Sequence, residues 1–326
     1  MSVVDGLEIA VLVPCLNEEA AIGKVVKDFR AALPGCTVYV YDNNSTDATV
    51  EVATAAGADV RRERRPGKGN VVRRMFQDIE ADIYVMVDGD DTYDAAVAPQ
   101  LVGKLVTENL DMLVGKRVET HQAAYRMGHR LGNRVLTGLV GWLFTSPIED
   151  MLSGYRVFSR RFAKSFPSSS REFEIETELT VHALQMRMAI AEVDTNYKER
   201  PPGSVSKLRT FRDGWRILVT IMNLMRNERP LLFFSLIGFI LTAVAVGLGI
   251  PVVLEWADTG LVRRFPTAIL CSALVVIAVL CIATGLILDL VAHVRREAKR
   301  IAYLQYPAPK DARKRDAGRA SGQRAG

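Results

Sequence analysis

The sequence contains few cysteines, and none of them has the spacing of a metal ligand. Only four of its 326 residues are cysteines, at positions 15, 36, 271 and 281. Zinc sites need Cys or His pairs at short, regular separations, and small disulfide-stabilised domains need a much higher cysteine content. We therefore expect reduced, structural cysteines in a cytosolic setting.

Signals of several other protein classes are also missing. Residues 1–19 have no basic start and only a brief apolar run, so a cleaved signal peptide is not expected. The segment Pro66 to Gly69 resembles part of a phosphate-binding loop, but it lacks the full spacing and the Ser or Thr that would follow Lys68. This excludes a Walker-type site and leaves open a contact of Lys68 with a substrate. No basic stripe interleaved with aromatic residues precedes residue 206, so a nucleic-acid partner is not expected.

Two long apolar runs lie near the end of the chain. Residues 231–254 contain no charged residue, and residues 267–292 contain only Asp289. Each run can cross a hydrocarbon core of about 30 Å at about 1.5 Å per residue. Lys and Arg exceed Asp and Glu by eight to three over residues 198–229 and by ten to three over residues 293–326. Because basic residues collect beside the cytoplasmic ends of spans, we expect a transmembrane hairpin in the inner or plasma membrane with both termini cytoplasmic.

The segments beside the spans are basic as well. Residues 206–230 interleave apolar and basic side chains in the pattern of an amphipathic helix that lies in the membrane interface. Residues 293–326 form a basic tail that we expect to be disordered. Attraction of such segments to anionic headgroups amounts to about 1 kcal/mol per Lys or Arg. The predicted plan is a globular domain over 1–205, the amphipathic helix, the two spans within 231–292, and the tail.

The globular part alternates short apolar runs with helical patterns. Strands are predicted over 7–13, 37–41, near 60, 83–87 and 111–114, and helices over 22–29, 71–79, 125–144 and 175–188. This alternation predicts an α/β fold with a Rossmann-like, mostly parallel sheet and helices on both faces.

Acidic motifs follow three of the predicted strands. Pro14 to Glu18 follows the first, Asp42 the second, and Asp88 to Asp90 the fourth. Ligands of open parallel sheets bind beyond the carboxyl ends of the strands. Carboxylates gathered there repel one another unless a cation or hydrogen-bond donors offset the repulsion. Hard oxygen ligands suit Mg²⁺ or Mn²⁺, which often completes its shell with substrate phosphates.

In order and spacing, these motifs resemble those of family 2 glycosyltransferases, whose nucleotide-sugar-binding fold is called GT-A. Asp150 to Arg156 is similar to that family's Asp-x-x-Ser-Gly-Phe-Arg segment. Arg200 to Lys207 is similar to the Arg-x-x-Gly-x-Ser-Lys stretch of its polyprenyl-phosphate branch. That branch includes dolichol-phosphate mannose synthases and bactoprenol glucosyltransferases, and the latter also carry two C-terminal spans. The resemblance covers residues 7–292.

The resemblance implies a metal-dependent hexosyltransferase. It would move a sugar from a nucleotide-sugar to a polyprenyl phosphate at the cytoplasmic face of the membrane, with inversion; a uridine nucleotide fits slightly better by analogy, and guanosine stays open. The sequence leaves open whether the protein forms a homo-oligomer. One alternative is a membrane glycosyltransferase that acts on a glycan or another lipid acceptor. The other is a membrane-tethered nucleotide-binding module without catalysis, which metal-dependent turnover would exclude.

The resemblance also implies roles for individual residues. Pro14, Leu16 and Glu18 would border the base and ribose, and Asp42 would hydrogen-bond the base. Asp88, followed by Gly89, would hold the ribose or sugar, and Asp90 would ligate Mg²⁺ or Mn²⁺ on the diphosphate. Asp91 stands where relatives have an apolar residue and is a candidate extra ligand. The remaining residues are Arg117 near the phosphates, Asp150 as the catalytic carboxylate, and Arg130, Arg200 and Lys207 on the lipid phosphate.

Simpler roles stay open for several of these residues. Asp42 and Asp47 could organise a turn or cap a helix, Arg117 and Arg130 could be surface charges, and Arg200 and Lys207 could be headgroup anchors. His129 stands about where the mannose synthases have a serine near the phosphate, so that contact is open. A phosphate monoester has a second pKa of about 6, so the acceptor is largely dianionic and needs little help from a base. Asp150 could therefore orient the acceptor instead.

Overall fold

The computed structural model describes residues 6–119, 138, 141, 148–167, 175–198, 219 and 222–310. The chain divides into two compact units, one formed by residues 1–214 with 299–326 and the other by residues 215–298. The predicted helix over 125–144 lies outside the described residues, apart from positions 138 and 141. Most of the predicted amphipathic segment 206–230 lies outside them too, as does the part of the predicted tail 293–326 after residue 310. Residues 293–304 of that predicted disordered tail are helical, because they continue the apolar helix that begins at Phe265.

The first unit is built on one seven-stranded sheet, with the strand order β3-β2-β1-β4-β6-β5-β7. Its strands are β1 (Ile9–Cys15), β2 (Thr37–Asp42), β3 (Asp59–Arg62), β4 (Ile83–Met86), β5 (Met112–Glu119), β6 (Arg156–Ser159) and β7 (Ile190–Tyr197). All neighbouring strands pair in parallel except β6, which is antiparallel to both β4 and β5. The predicted mostly parallel sheet is therefore confirmed.

Helices cover both faces of the sheet. They are α1 (Ile22–Ala32), α2 (Thr49–Ala55), α3 (Lys68–Asp78), α4 (Ala98–Thr107), α5 (Arg160–Ser165) and α6 (Ile175–Gln185). Side chains alternate across each strand, so Val11 and Val13 of β1 pack with α1, α2 and α4, whereas Leu12 packs with α3, α5 and α6. All four residues of β4 are buried, as expected for a central strand covered on both faces.

Two strands, β6 and β7, and two helices, α4 and α5, were not predicted from the sequence. β6 is only four residues long and begins at Arg156, inside the Asp150 to Arg156 motif. β7 is an edge strand with a single fully buried residue, Thr195, so it lacks a continuous apolar run. α4 was missed although its apolar residues recur at helical spacing.

The reversed direction of β6 determines which residues lie at the carboxyl edge of the sheet, where ligands bind in open parallel sheets. Because β6 runs antiparallel to β4 and β5, its first residue lies at the edge where those strands end. The segment that leads into β6, from Asp150 to Tyr155, is thereby brought to the carboxyl ends of β4 and β5. An all-parallel arrangement would place it at the opposite edge.

A further contact involves the end of the described chain, which belongs to the first unit. Tyr303 donates a hydrogen bond of 2.9 Å to Asp111 Oδ2, and the Arg161 guanidinium lies 4.8 Å from the Tyr303 ring centroid. Arg161 and Ser159 also bond the Asp111 carboxylate, which is 1% exposed. We call Asp111, Arg161 and Tyr303 the C-terminal clasp.

The second unit contains two long apolar helices. α7 (Pro230–Thr259) and α8 (Phe265–Leu304) hold the predicted ranges 231–254 and 267–292, and α8 continues into the first unit from Lys299. Only 11% of the most apolar window of each helix is buried. A Cβ on Gly238 would lie 3.0 Å from the Ala278 carbonyl oxygen, so glycine allows the two helices to approach closely. Their length, apolarity and exposure suggest membrane association.

Candidate active site

The loops that follow β1 and β2 interlock at the carboxyl edge of the sheet. The Asn17 backbone N–H donates to Ser45 Oγ at 2.9 Å, and the Thr46 N–H donates to Asn17 Oδ1 at 2.8 Å. The Glu18 N–H donates to Thr49 Oγ1 at 2.9 Å. These bonds fix the segment from Pro14 to Glu18 and leave the Leu16 side chain 36% exposed at the edge.

Asp42 ends β2 beside this pair of loops. Its carboxylate is 2% exposed, and Oδ1 accepts the Ser45 N–H at 3.0 Å. Arg62 Nε lies 3.7 Å from Oδ2. Asp42 therefore organises the turn after β2, the simpler role considered above, and its pairing opposite Cys15 puts it level with the end of β1.

Asp47 acts close to its predicted role as a helix cap. The residue at the cap position of α2 is Ala48, which makes no side-chain cap bond. The Asp47 carboxylate instead accepts the Thr49 N–H at 3.1 Å and the Thr49 hydroxyl at 2.5 Å. Burial raises the pKa of the Asp47 carboxyl, but the hydrogen bonds from Thr49 outweigh burial and hold this pKa below its usual value.

A lysine lies between two carboxylates at the end of β4. Lys68 Nζ is 2.5 Å from Asp88 Oδ1 and 2.6 Å from Glu176 Oε1. Burial alone would lower the pKa of Lys68, but the charges of the two carboxylates outweigh it and raise that pKa. Lys68 begins α3 and Glu176 lies in the first turn of α6, so this ion pair joins helices that are far apart in sequence.

Two glycines allow the close packing around Asp88. A Cβ on Gly154 would lie 2.3 Å from Asp88 Oδ2, and a Cβ on Gly89 would lie 2.7 Å from Cys15 Sγ. The Gly154 N–H also donates to Tyr93 Oη at 2.9 Å. Asp88, two residues beyond the end of β4, is thus in direct contact with the segment that enters β6.

Asp90 is the carboxylate best suited to hold a divalent cation. It is 4% exposed, and its Oδ1 accepts the Thr92 hydroxyl at 2.6 Å, which orients the carboxylate. Among the described residues, no three His, Cys, Asp or Glu side chains are grouped so as to hold a metal ion. The single carboxylate of Asp90 fits Mg²⁺ or Mn²⁺, because such an ion is commonly held by one or two carboxylates and completes its coordination shell with substrate phosphates.

Asp91 is less suited to the extra metal contact suggested by the sequence. Its backbone has a φ of 56°, in the left-handed region, and its Oδ1 is 2.8 Å from Lys24 Nζ. Lys24 also contacts Asp28 at 2.8 Å. An Asp91 ligand would have to give up the lysine, so Asp91 as a ligand stays a prediction that this geometry does not favour.

Arg117 and Asp150 form a two-pronged ion pair. Arg117 Nε and Nη2 each donate to one Asp150 oxygen at 2.8 Å, and the Arg117 backbone N–H donates to Oδ2 at 3.2 Å. Burial raises the pKa of Asp150, but the hydrogen bonds and charge of Arg117 outweigh burial and hold this pKa below its usual value. The Arg117 guanidinium also lies 5.6 Å from the Tyr197 ring centroid.

Arg156 fixes the segment that follows Asp150. It is fully buried, and it donates to the carbonyl oxygens of Ser153 and Met151 at 2.9 and 2.5 Å and to Thr180 Oγ1 at 2.9 Å. Burial lowers the pKa of Arg156 to about 10, so it stays charged at neutral pH. Ser153 Oγ in turn donates to the Gly115 carbonyl oxygen at 2.6 Å. The serine and arginine of this motif are therefore structural.

Comparison with known proteins places this arrangement in a family. The family model described as "Glycosyl transferase family 2" matches residues 10–166. Glycosyltransferase AglJ of Haloferax volcanii is 33% identical over 300 residues, which cover 91% of this chain and 98% of AglJ. The chain belongs to glycosyltransferase family 2. A second relative of this family 2 enzyme, the dolichyl-phosphate hexose transferase of Haloferax volcanii, is 27% identical over 222 residues, 68% of this chain and 96% of that one.

A solved structure supports the GT-A fold. Glucosyl-3-phosphoglycerate synthase from Mycobacterium tuberculosis, in complex with Mn²⁺, uridine diphosphate and glucosyl-3-phosphoglycerate, is similar with a TM-score of 0.57 and 25% identity. The likeness covers 68% of this chain and 80% of that one. The predictions of a GT-A fold and of a glycosyltransferase that uses a nucleotide-sugar are confirmed. The predicted Mg²⁺ or Mn²⁺ is confirmed, because GT-A glycosyltransferases use a divalent metal and this structurally similar synthase holds Mn²⁺.

The structure gathers most of the residues predicted for the site at one edge of the sheet. They are Pro14, Leu16, Glu18, Asp42, Asp88, Gly89, Asp90, Asp91, Arg117 and Asp150. Arg130, Arg200 and Lys207 lie outside the described residues, and their roles stay predictions. The contacts of Gly154 with Asp88 and of Glu176 with Lys68 were not predicted, and for Lys68 only a contact with a substrate was left open. A lysine between glycines beside an acidic edge was the available signal for Lys68.

Proposed function

We propose that this family 2 enzyme transfers a hexosyl group from a uridine-diphosphate sugar to a polyprenyl phosphate, with inversion, at the cytoplasmic face of the membrane. The observation that carries the proposal is the pair of long, exposed apolar helices that follows a nucleotide-sugar-binding domain. Such helices would keep the domain at the surface where a lipid phosphate lies. The similarity to a dolichyl-phosphate hexose transferase supports the same class of acceptor.

The donor would bind across the first half of the edge. Leu16 offers an exposed apolar surface to the base, and Asp42 offers a fixed carboxylate oxygen to the base N–H. Asp88 would accept hydroxyls of the ribose or sugar, and Lys68 beside it would offset the added negative charge of the diphosphate. Asp90 would hold Mg²⁺ or Mn²⁺, which when bound neutralises charge that develops on the departing diphosphate.

The displacement itself would need no proton transfer. An oxygen of the lipid phosphate forms a bond to the anomeric carbon while the bond from that carbon to the diphosphate oxygen breaks on the opposite face. The acceptor dianion brings the electron pair, and the nucleoside diphosphate leaves with the other. Inversion follows from the opposed faces.

Asp150 fits the orienting role better than the role of a base. Its pKa is held low by Arg117, and a carboxylate of low pKa is a weak proton acceptor. The two-pronged pair instead holds one carboxylate and one guanidinium in fixed positions near the end of β5. Asp150 would then accept sugar hydroxyls or place the acceptor, with Arg117 adding positive charge near the phosphates.

The test uses the full chain purified in detergent. It is incubated with Mn²⁺ or Mg²⁺, undecaprenyl phosphate and single UDP- or GDP-sugars, and the lipid product is followed by mass spectrometry and its anomeric configuration by NMR. We expect one inverted glycosyl phospholipid, which Asp90→Ala abolishes. Asp59→Ala is the matched control, because Asp59 is 41% exposed and pairs with Arg61 at the start of β3.

The other outcomes are separable. Transfer to a soluble phosphate compound or a glycan, with none to undecaprenyl phosphate, would keep the enzyme class and refute the lipid acceptor. Retention of configuration would refute the single displacement. Tight nucleotide binding without transfer to any acceptor would favour the binding-module alternative.

A further inference from the structure

Glu192 holds the backbone on which Asp150 stands. The Glu149 N–H lies 3.1 and 3.0 Å from the two Glu192 carboxylate oxygens, and the Asp150 N–H donates to Oε1 at 3.1 Å. A carboxylate that accepts two consecutive backbone N–H groups fixes the direction of that peptide segment. Where the Asp150 side chain starts is therefore set by Glu192.

Two neighbouring strands hold Asp150 from both ends. Glu192 lies on β7, opposite Val114 of β5, and the same pairing places Arg117 opposite Thr195. Arg117 binds the Asp150 carboxylate, whereas Glu192 binds the Asp150 backbone N–H. Because β5 and β7 pair over eight residues, Arg117 and Glu192 are held rigidly relative to each other.

The Arg117 ion pair and the Glu192 hydrogen bonds cannot replace each other. Arg117 alone would follow the Asp150 carboxylate if the backbone shifted, since a guanidinium fork stays paired while both side chains move. Asp42 accepts a hydrogen bond from Ser45, Asp88 from Lys68 and Asp90 from Thr92, and none of these three bonds runs through Glu192. A change at Glu192 should move Asp150 and leave the donor residues in place.

We propose that Glu192 is a positioning residue for Asp150, which it fixes through the backbone of residues 149 and 150 so that the transfer step depends on it and donor binding does not. This inference rests on the proposed function, because it takes Asp150 as part of the transfer site.

Three variants of the full chain test the inference. Glu192→Leu removes both acceptor oxygens at similar size, and Glu192→Gln keeps one acceptor oxygen and removes the charge. Asp194→Leu is the matched control: it lies two residues along β7, is 68% exposed, and pairs with Lys116 at 3.1 Å. The measurements are kcat, KM for the donor, nucleotide affinity, thermal stability, and hydrogen exchange of the peptide over 148–156.

In Glu192→Leu we expect kcat to fall by about 10- to 100-fold, since small misplacements at reacting groups cost up to about 100-fold. Donor KM and nucleotide affinity should stay within about twofold, while the amides of 149 and 150 exchange faster. Glu192→Gln should recover most of kcat, because its oxygen still accepts the backbone N–H groups. Asp194→Leu should match the wild type in every readout.

Equal kcat in Glu192→Leu and Asp194→Leu would overturn the inference. So would a parallel loss of nucleotide affinity and thermal stability in Glu192→Leu, which would mark a merely structural role. If the wild type transfers no sugar to any acceptor, the proposed function fails, while the exchange of the 149 and 150 amides still decides whether Glu192 holds this segment.

Discussion

Replacement of Gly154 by alanine tests the contact between Asp88 and the segment that enters β6. A Cβ at residue 154 would lie 2.3 Å from Asp88 Oδ2, and ordinary contact starts near 3.4 Å, so the carboxylate must retreat by about 1 Å. Gly154 does not have a positive φ, so alanine brings no backbone strain of its own.

The expected loss can be worked out from the contacts of Asp88. Its Oδ1 lies 2.5 Å from Lys68 Nζ, and a retreat of this size takes it out of its present hydrogen-bond geometry. The same retreat takes the carboxylate away from the donor hydroxyl that it would bind, and a hydrogen bond to a charged group contributes about 1.5–3 kcal/mol. Loss of that bond corresponds to a loss of donor affinity of about 10- to 150-fold.

The assay is calorimetric titration of the full chain with a UDP-sugar and Mn²⁺, together with a thermal melt. Gly103→Ala is the control, because a Cβ there meets no atom within 4 Å, and alanine in the interior of α4 should stabilise the helix by up to about 1 kcal/mol. Unchanged donor affinity in Gly154→Ala, with an unchanged melt, would refute the assignment of Asp88 to the donor. A lower melting temperature with normal affinity would mean that the backbone, rather than Asp88, absorbs the clash.

Three further predictions concern other charged groups. Asp90→Asn should lower kcat/KM by about 100-fold or more without changing the melt, because the metal loses its buried anionic ligand; a Mn²⁺ titration of turnover measures it, and an unchanged Mn²⁺ dependence would contradict the assignment. Arg117→Lys removes the two-pronged bond that holds the pKa of Asp150 low, so the acid limb of the kcat–pH profile should move to higher pH if the ionised carboxylate is needed; an acid limb that stays in place would show that Asp150 does not titrate in catalysis. Burial, assisted by Lys299, lowers the pKa of His182 well below its usual value, so the folded protein excludes a proton that the unfolded chain binds below about pH 6.5. Stability should therefore be full above that pH and fall by up to about 1.4 kcal/mol per pH unit below it, a slope that urea unfolding at several pH values should find absent in His182→Leu.

The parts of the site that follow strands could be predicted because their signal is local. A short apolar run that stops at an acid marks both the strand and the side chain at its end, as at Val40 to Asp42 and Val85 to Asp88. The parallel sheet then brings those ends together without further information. The order of the strands β3-β2-β1-β4 needs no more than this alternation and right-handed crossovers.

The second half of the site depends on contacts between distant residues, which carry no local pattern. Lys68 and Glu176 are 108 positions apart, and neither differs in sequence from a solvated surface charge. Glu192 and Asp150 are 42 positions apart, and their bond exists only because β7 pairs with β5. The antiparallel insertion of β6 is likewise set by tertiary packing, since its four residues carry too little pattern to reveal a direction.

The C-terminal clasp can form only late in the synthesis of the enzyme. Tyr303 follows Asp111 by 192 positions, and both apolar helices are translated in between. A nascent chain can therefore complete its sheet before the phenol of Tyr303 is available to bond the Asp111 carboxylate. The bond between Tyr303 and Asp111 therefore forms only in chains whose two apolar helices have already been synthesised.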